Sequence, residues 1–176
     1  MTPTLTPPTE RGRRFASLID HTLLKPDAGA REVERLCAEA RFYGFAAVCV
    51  LPALLPVAVA ALQGGGVAPC TVAGFPLGAS TSASKAFEAE EAARAGAREI
   101  DMVLAVWAMK DRQFDRVRGD IAGVVRAVGP DCAVKVILET CLLSEDEKIA
   151  ACKLAVDAGA SFVKTSTGLA DRKSVV

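Results

Sequence analysis

The chain has 176 residues, of which 51% are hydrophobic and 24% charged, which suffices for one packed domain but not for two. Lys and Arg together number 21, as do Asp and Glu, so the formal net charge is zero and neither nucleic acid nor an anionic membrane is an expected partner. The six cysteines and the single histidine show no metal-ligand spacing, and we expect neither a metal nor another cofactor.

The amino terminus, MTPTLTPPTERGRR, contains no apolar core of a signal peptide, and no apolar run reaches membrane-spanning length. These features predict a cytoplasmic protein with reduced thiols. Residues 1–13 mix Pro, Thr and Arg without periodicity, which predicts a flexible arm.

Strand-like and helix-like segments alternate along the rest of the chain. The predicted strands are, in order, FASLIDHTLL, FAAVCVLP, APCTVAGFP, EIDMVLAV, AVKVILET and FVKTST. The predicted helices between them are AREVERLCAEARFY, ALLPVAVAALQ, SASKAFEAEEAARA, RQFDRVRGDIAGVVRAV and SEDEKIAACKLAVDA. The last helix begins with Ser144 three residues before Glu147, the spacing of a capping box.

Glycine recurs where a helix passes into a strand. Gly44, Gly96 and Gly159 each follow an alanine-rich helix, at a position where a left-handed conformation ends helices. Repeated βα units with apolar strands predict a parallel sheet with helices on its faces. Since no strand is followed by GxGxxG or GxxxxGK[ST], an α/β fold of the (β/α)8-barrel type, or a fragment of one, is favoured over a doubly wound sheet.

Three ionisable residues fall on consecutive strands. Alternation of side chains places Asp101, Lys135 and Lys164 on the inner face of the fourth, fifth and sixth strands, and Glu139 shares the face of Lys135. In a barrel, chemistry gathers at the carboxyl ends of the strands, so these residues could converge there. A structural ion-pair network explains the same pattern, and parity alone leaves both interpretations open.

The segment SFVKTSTG likewise allows both a functional and a purely structural interpretation. Ser166, Thr167 and the amide of Gly168 could hold an anion, although the glycine could equally serve only to shape a turn. The cysteines, including Cys49, are expected to be small buried residues, and we assign no chemistry to His21.

A lysine in such surroundings points to amine chemistry. Free lysine has a pKa of about 10.4 and is protonated at neutral pH. Desolvation and a second ammonium nearby both disfavour the charged form, and the resulting amine can attack a carbonyl to form a Schiff base. A neighbouring aspartate can relay the protons, as in a class I aldolase, which needs no metal.

Six motifs in this order, LIDHTLLKPDA, VCVLP, VAGFPLGAS, EIDMVLAV, VKVILETCLL and FVKTSTG, closely resemble the deoxyribose-phosphate aldolase family over residues 14–168. The resemblance implies a TIM-barrel lyase that reversibly cleaves 2-deoxy-D-ribose 5-phosphate into acetaldehyde and glyceraldehyde 3-phosphate. It implies that Lys164 forms the Schiff base, that Asp101 transfers protons and that Lys135 lines the site. Substrate-binding positions would be the matching residues Asp20, Thr22, Cys49, Thr167 and Gly168.

The chain departs from this family after STG. Family members continue with a seventh strand that carries another lysine and an eighth strand that brings a phosphate-binding loop, whereas here LADRKSVV follows. We therefore expect an incomplete barrel of about six βα units at residues 14–168, a tail without family signature at 169–176, and impaired activity. Unpaired edges on the first and sixth strands predict association, with a homodimer favoured.

Three hypotheses follow. The first is an aldolase acting on a sugar phosphate and small aldehydes. The second is a non-catalytic aldolase fragment that binds sugar phosphates or serves as an assembly partner. The third is an unrelated α/β binding module, which the series of six motifs disfavours.

Overall fold

The computed structural model describes residues 6–170. Its six strands form one sheet in the order β1-β2-β3-β4-β5-β6, and the neighbouring strands whose registers are given below run parallel. Every predicted strand is confirmed in part, and four of the six begin at the predicted residue but end earlier than predicted. The strands are β1 (Asp20–Leu23), β2 (Ala47–Val50), β3 (Ala68–Ala73), β4 (Glu99–Val103), β5 (Ala133–Ile137) and β6 (Phe162–Lys164).

All five predicted helices are confirmed, and two further short α-helices occur in the described residues. The helices are α1 (Glu10–Ala16), α2 (Ala30–Tyr43), α3 (Leu55–Leu62), α4 (Ser82–Arg94), α5 (Val106–Lys110), α6 (Phe114–Val128) and α7 (Glu145–Asp157). Single 3-10 turns lie at Pro52–Leu54 and Thr140–Leu142. Helices α2 and α6 show the clearest apolar periodicity, burying Val33, Leu36, Cys37 and Ala40 in α2 and Val117, Ile121, Val124 and Val128 in α6.

Residues 10–13 of the predicted flexible arm, 1–13, belong to helix α1. Thr9 caps this helix, because its hydroxyl accepts a hydrogen bond from the amide of Gly12 at 3.1 Å. The run FAS, predicted as the start of the first strand, contains the end of the same helix. Residues 1–5 of the predicted arm lie outside the described residues.

The predicted helix ends are confirmed. Ser144 and Glu147 form the capping box of α7, with the amide of Ser144 donating to Glu147 at 2.7 Å and the amide of Glu147 donating to Ser144 at 3.3 Å. Gly44, Gly96 and Gly159 have φ angles of 76°, 103° and 87°, in the range where a side chain would be strained.

The chain divides into two compact units. Among the described residues, the first comprises 6–71 and 95–98, and the second comprises 72–94 and 99–170. In the first unit, β1 pairs with β2 so that Thr22 lies opposite Cys49, and Val33, Val48 and Val50 are fully buried. Helix α2 covers these strands with an apolar face, which accounts for much of this unit's stability.

In the second unit, β4, β5 and β6 are paired in parallel. Asp101 lies opposite Lys135, and Ile137 lies opposite Lys164. The core contains the fully buried residues Ile100, Met102, Val117, Ile121 and Val136. This register places the three ionisable residues of the sequence prediction on adjacent strands.

A buried ion pair joins helices α4 and α6 of the second unit. Lys85, which has no exposed surface, donates to Asp120 at 2.6 Å and to the carbonyl oxygen of Val103 at 2.9 Å. Its aliphatic stem packs on Gly74, where a Cβ atom would lie 2.8 Å from Cε of Lys85. Since Val103 ends β4, this lysine fixes the end of the strand that carries Asp101.

Among the described residues, none of the helices is long and apolar enough to cross a membrane.

Candidate active site

Lys164, at the end of β6, contacts Asp101 in the middle of β4. The Nζ atom of Lys164 forms an ion pair with Oδ2 of Asp101. The side chain of Asp101 is almost fully buried, whereas that of Lys164 is 30% exposed. The amine of a partly exposed side chain is thereby held against a buried carboxylate.

Lys135, on the strand between these two, contacts the other oxygen of Asp101. Its Nζ atom lies 3.1 Å from Oδ1 of Asp101, and it also pairs with Oε2 of Glu99. The resulting network runs from Glu99 through Lys135 and Asp101 to Lys164. The predicted convergence of Asp101, Lys135 and Lys164 is therefore present in the structure, and Glu99 is an addition to it.

The surroundings of Lys164 differ from the sequence prediction. We expected an amine desolvated between apolar strands, with Asp101 close enough to relay protons. Asp101 does contact the amine, but the preceding residues Phe162 and Val163 are 58% and 45% exposed. The exposure arises because β6 is the last strand of the described sheet, so one of its sides has no neighbouring strand. The structure thus contains an ion pair, as one interpretation requires, on a lysine side chain that is partly exposed, as the other requires.

The polar turn after β6 is fixed by Glu139. The backbone amide of Thr167 lies 3.3 Å from each carboxylate oxygen of Glu139, and the hydroxyl of Thr167 donates to Oε2 of the same residue. Gly168 follows with a φ angle of 83°. The donors that we predicted to hold a substrate anion at Thr167 are therefore bonded to a carboxylate of the protein itself.

The chemistry available to this arrangement is proton transfer next to a nucleophile. A carboxylate in contact with an amine can take up or return a proton while that amine adds to a carbonyl group. Lys135 binds one oxygen of Asp101 and leaves the other directed at Lys164. The buried cation thus orients the carboxylate toward the accessible amine.

Comparison with known proteins identifies the family. The family model described as DeoC/LacD family aldolase matches residues 14–175. The chain belongs to this aldolase family. Its deoxyribose-phosphate aldolase relative from Lysinibacillus sphaericus is 53% identical over 156 residues, which cover 89% of this chain and 70% of that protein. The relative of the same name from Bacillus subtilis is 53% identical over 154 residues, covering 88% of this chain and 69% of that protein.

A solved structure supports the same relationship. The tetrameric deoxyribose phosphate aldolase from Aeropyrum pernix is 32% identical, with a TM-score of 0.82, over 92% of this chain and 73% of that one. The predicted fold class is thereby confirmed, since an aldolase of the DeoC/LacD family with six parallel strands corresponds to six βα units of the (β/α)8 type. The family match begins at the predicted boundary, residue 14, and extends into the segment 169–176.

The remaining predicted site residues of this aldolase lie in the first unit. Asp20 and Thr22 lie on β1, and Cys49 lies directly opposite Thr22 on β2, so the three share one face of these strands. Cys49 is buried, Asp20 is half-buried and Thr22 is exposed, with its hydroxyl donating to the carbonyl of Asp20 at 3.0 Å. His21, to which we assigned no chemistry, stacks on Phe45 and pairs with Glu39.

Glu99, which pairs with Lys135, and Glu139, which bonds Thr167, were not among the predicted site residues. The alternation of side chains along a strand could have identified both, because Glu99 lies two residues before Asp101 and Glu139 lies four residues after Lys135. The contact of Glu139 with Thr167 could not be predicted from the sequence, because it depends on the left-handed conformation of Glu139 after the end of β5.

Proposed function

We propose that this member of the DeoC/LacD aldolase family is a deoxyribose-phosphate aldolase. It cleaves 2-deoxy-D-ribose 5-phosphate reversibly to acetaldehyde and glyceraldehyde 3-phosphate through a Schiff base on Lys164. The observation that carries the proposal is the contact between the amine of Lys164, whose side chain is partly exposed, and the buried carboxylate of Asp101. The names of relatives at 53% identity point to the same activity.

The reaction begins when the uncharged amine of Lys164 adds to the aldehyde carbon of the open-chain sugar. The carbinolamine loses water to give a protonated imine. Removal of the proton from the 3-hydroxyl group then breaks the bond between C2 and C3, which releases glyceraldehyde 3-phosphate and leaves an enamine. Protonation of the enamine and hydrolysis release acetaldehyde and restore the amine.

Asp101 is the proposed proton relay of these steps. Its position against Nζ of Lys164 suits the uptake of a proton from the attacking amine and the return of a proton to the carbinolamine oxygen. Lys135 is proposed to hold Asp101 in place through the contact of 3.1 Å and to supply positive charge in the site. Both roles follow from contacts with the reacting amine or with its partner.

Substrate contacts of Asp20, Thr22, Cys49, Thr167 and Gly168 are proposed from the family resemblance. For Thr167 the structure adds a condition, since its amide and hydroxyl bond Glu139. A substrate oxygen at this turn must share these donors with Glu139 or displace it. No metal or organic cofactor takes part in the proposed chemistry, which needs only an amine and a proton relay.

We further propose that the protein is cytoplasmic and that it binds neither nucleic acid nor membranes. Zero formal net charge supports the absence of nucleic acid and anionic lipid as partners. All six cysteines are free thiols, which supports a reducing compartment. We propose a homodimer, and the exposed strand β6 with Phe162 and Val163 supports an association surface.

A second candidate function rests on the same strand. A non-catalytic member that binds sugar phosphates or serves as an assembly partner is favoured by the exposed apolar residues of β6 and by a carboxylate that stabilises the charged ammonium of Lys164. In the first function Lys164 forms a Schiff base that leads to cleavage of the sugar phosphate, and in the second it does not.

A cleavage assay separates the two. Acetaldehyde release from 2-deoxy-D-ribose 5-phosphate should be measured for this chain and for a chain extended by the carboxyl-terminal part of the Lysinibacillus sphaericus relative, each alongside its Lys164→Arg variant. The aldolase proposal predicts weak release by the chain itself, strong release by the extended chain, and none from either variant. Binding of the sugar phosphate without release by the extended chain would favour the non-catalytic function.

A further inference from the structure

Glu139 adopts a conformation that is rare for residues with a side chain. It follows the end of β5 with φ 52° and ψ 63°, in the left-handed region, while its side chain is almost fully buried. Such a conformation is strained and persists only where surrounding contacts impose it. The contacts of its carboxylate explain why it persists here.

All the polar contacts of this carboxylate given by the structure lead to the turn after β6 or to its own loop. The amide and the hydroxyl of Thr167 donate to it, and the thiol of Cys141 lies 3.9 Å from Oε1. Hydrogen bonds to an ionised carboxylate are about twice as strong as those between neutral groups. Glu139 therefore holds Thr167 through two donors at once.

The backbone on both sides of Glu139 also forms hydrogen bonds with the end of β6 and the turn after it. The amide of Leu138 donates to the carbonyl of Lys164 at 2.9 Å, and the amide of Thr140 donates to the carbonyl of Thr165 at 2.8 Å. Three successive residues after β5 are thus bonded to Lys164, Thr165 and Thr167. The end of β6 is fixed on the side of β5, and within the described sheet it has no neighbouring strand on the other side.

The pocket beside this contact is small and largely apolar. It has a volume of about 190 Å³ and is lined, besides Glu139 and Thr167, by Pro76, Leu77, Val103, Val106, Leu142, Leu169 and Ala170. Hydrogen bonds in apolar surroundings gain strength because water competes less for the donors. The contact between Glu139 and Thr167 is therefore suited to act as a rigid link.

We propose that Glu139 is a positioning residue of the aldolase reaction, which acts through Thr167 to hold the end of β6 so that Lys164 stays against Asp101. The proposal deepens the proposed function and rests on it for the role of Lys164. Its consequence is that loss of Glu139 frees the Lys164 amine from Asp101 and at the same time impairs the formation of the Schiff base, which needs the carboxylate nearby.

The test uses this chain and its Glu139→Gln variant, with two readouts. Trapping of acetaldehyde on Lys164 by borohydride measures Schiff-base formation, and trace acetylation measures the accessible amine of Lys164 relative to Lys148. Lys148 is a matched reference, because its side chain is 29% exposed and pairs with Glu145 at 2.7 Å. We expect trapping to fall on the order of tenfold while the acetylation ratio rises. A merely destabilised protein would acetylate both lysines faster and leave the ratio unchanged.

Variants of Thr167 show whether the effect passes through this residue. Thr167→Val should reproduce the loss of trapping, and Thr167→Ser should lose clearly less than Thr167→Val because the hydroxyl that bonds Glu139 remains. The double variant Glu139→Gln with Thr167→Val should lose no more than the worse single variant. These two Thr167 variants decide the matter if Glu139→Gln does not fold. Effects that multiply in the double variant, or equal trapping in Thr167→Val and Thr167→Ser, would overturn the proposal.

The two proposals fail in different ways. If the unmodified chain forms no adduct at Lys164, the proposed function fails, whereas the acetylation ratio still tests the positioning role because it needs no aldehyde. An unchanged ratio in both Glu139→Gln and Thr167→Val would overturn the role of Glu139 even if Lys164 traps acetaldehyde normally.

Discussion

Nζ of Lys135 lies 3.1 Å from Oδ1 of Asp101, and both side chains are almost fully buried. The second oxygen of Asp101 contacts Lys164, whose side chain is partly exposed. One carboxylate therefore connects a buried lysine to one whose side chain is partly exposed. In the proposed reaction, Lys135 fixes the carboxylate and Lys164 reacts.

The first prediction concerns Asp101. Asp101→Asn keeps the shape of the side chain but removes the proton acceptor, and general acid–base groups contribute on the order of 10²–10⁴-fold. The rate of acetaldehyde trapping on Lys164, measured per folded molecule, should fall by that order. Glu99→Gln is the matched control, because it alters the contact with Lys135 without touching Lys164.

The outcome separates a catalytic role from an ion pair that only stabilises the fold. If the Asp101→Asn variant loses stability but its rate of acetaldehyde trapping stays within about threefold of that of the unmodified chain, the relay role is contradicted on this scale.

The second prediction concerns the buried pair of Lys85 and Asp120. Lys85→Met leaves the carboxylate of Asp120 buried without its cation, and breaking a buried pair in this way costs about 3–5 kcal/mol. Urea unfolding should show this loss, and the double variant Lys85→Met with Asp120→Leu should recover most of it. Lys110→Met breaks the more exposed pair with Glu147 and should cost far less stability than Lys85→Met, because solvent screens exposed charges.

A Lys85→Met variant as stable as the unmodified chain would show that the pair contributes little to the second unit. Failure of the double variant to recover stability would show instead that the hydrogen bond from Lys85 to the carbonyl of Val103 dominates.

The third prediction concerns pH and Cys37. Burial raises the pKa of the Cys37 thiol from its ordinary value of 9.0 to about 11. The unfolded chain therefore loses this proton at lower pH than the folded chain does, and stability falls as the pH rises from about 9 to about 11. Below pH 9 the thiol is protonated in both states and this contribution is constant.

The measurement compares urea unfolding of the unmodified chain with that of Cys37→Ala between pH 8 and 11. Lysine and tyrosine titration affects both proteins, so the difference between the two curves reports Cys37. A difference that does not change with pH would contradict the assignment.

The fourth prediction concerns the exposed strand β6. Light scattering should give a mass near twice 18.3 kDa, because unpaired strand groups and apolar side chains favour pairing between copies. Val163→Lys places a charge on this edge, on the face away from Lys164, and should favour the monomer. Phe87→Lys, on helix α4, removes an exposed apolar residue elsewhere and should leave the dimer intact.

A monomer in the unmodified chain, or a dimer that dissociates only in Phe87→Lys, would show that β6 is not the association surface.

The fold could be predicted largely from the sequence because local signals agree with one another. Apolar runs, alanine-rich helices and the glycines Gly44, Gly96 and Gly159 mark the strands and helices, and all of these are found. Helix α1 was missed because its polar sequence has no apolar periodicity, and Thr9 as a cap is a weak signal without it.

The candidate site could be predicted only in part. Parity placed Asp101, Lys135 and Lys164 on one face, since side chains on a strand alternate. The partial exposure of Lys164 depends on the position of β6 at the end of the sheet. The bond between Glu139 and Thr167 depends on a left-handed residue that is not glycine, and no local sequence signal predicts either feature.

The central claim is that Lys164 forms the Schiff base, and intact mass after borohydride reduction with acetaldehyde tests it most directly. Attack by the amine, loss of water and reduction leave one ethyl group on the lysine, which peptide mapping locates. The account predicts a single adduct on Lys164 that is absent from Lys164→Arg and unchanged in Lys148→Arg, whose lysine has similar exposure and also pairs with a carboxylate. An adduct on Lys135, or one that persists in Lys164→Arg, would contradict it.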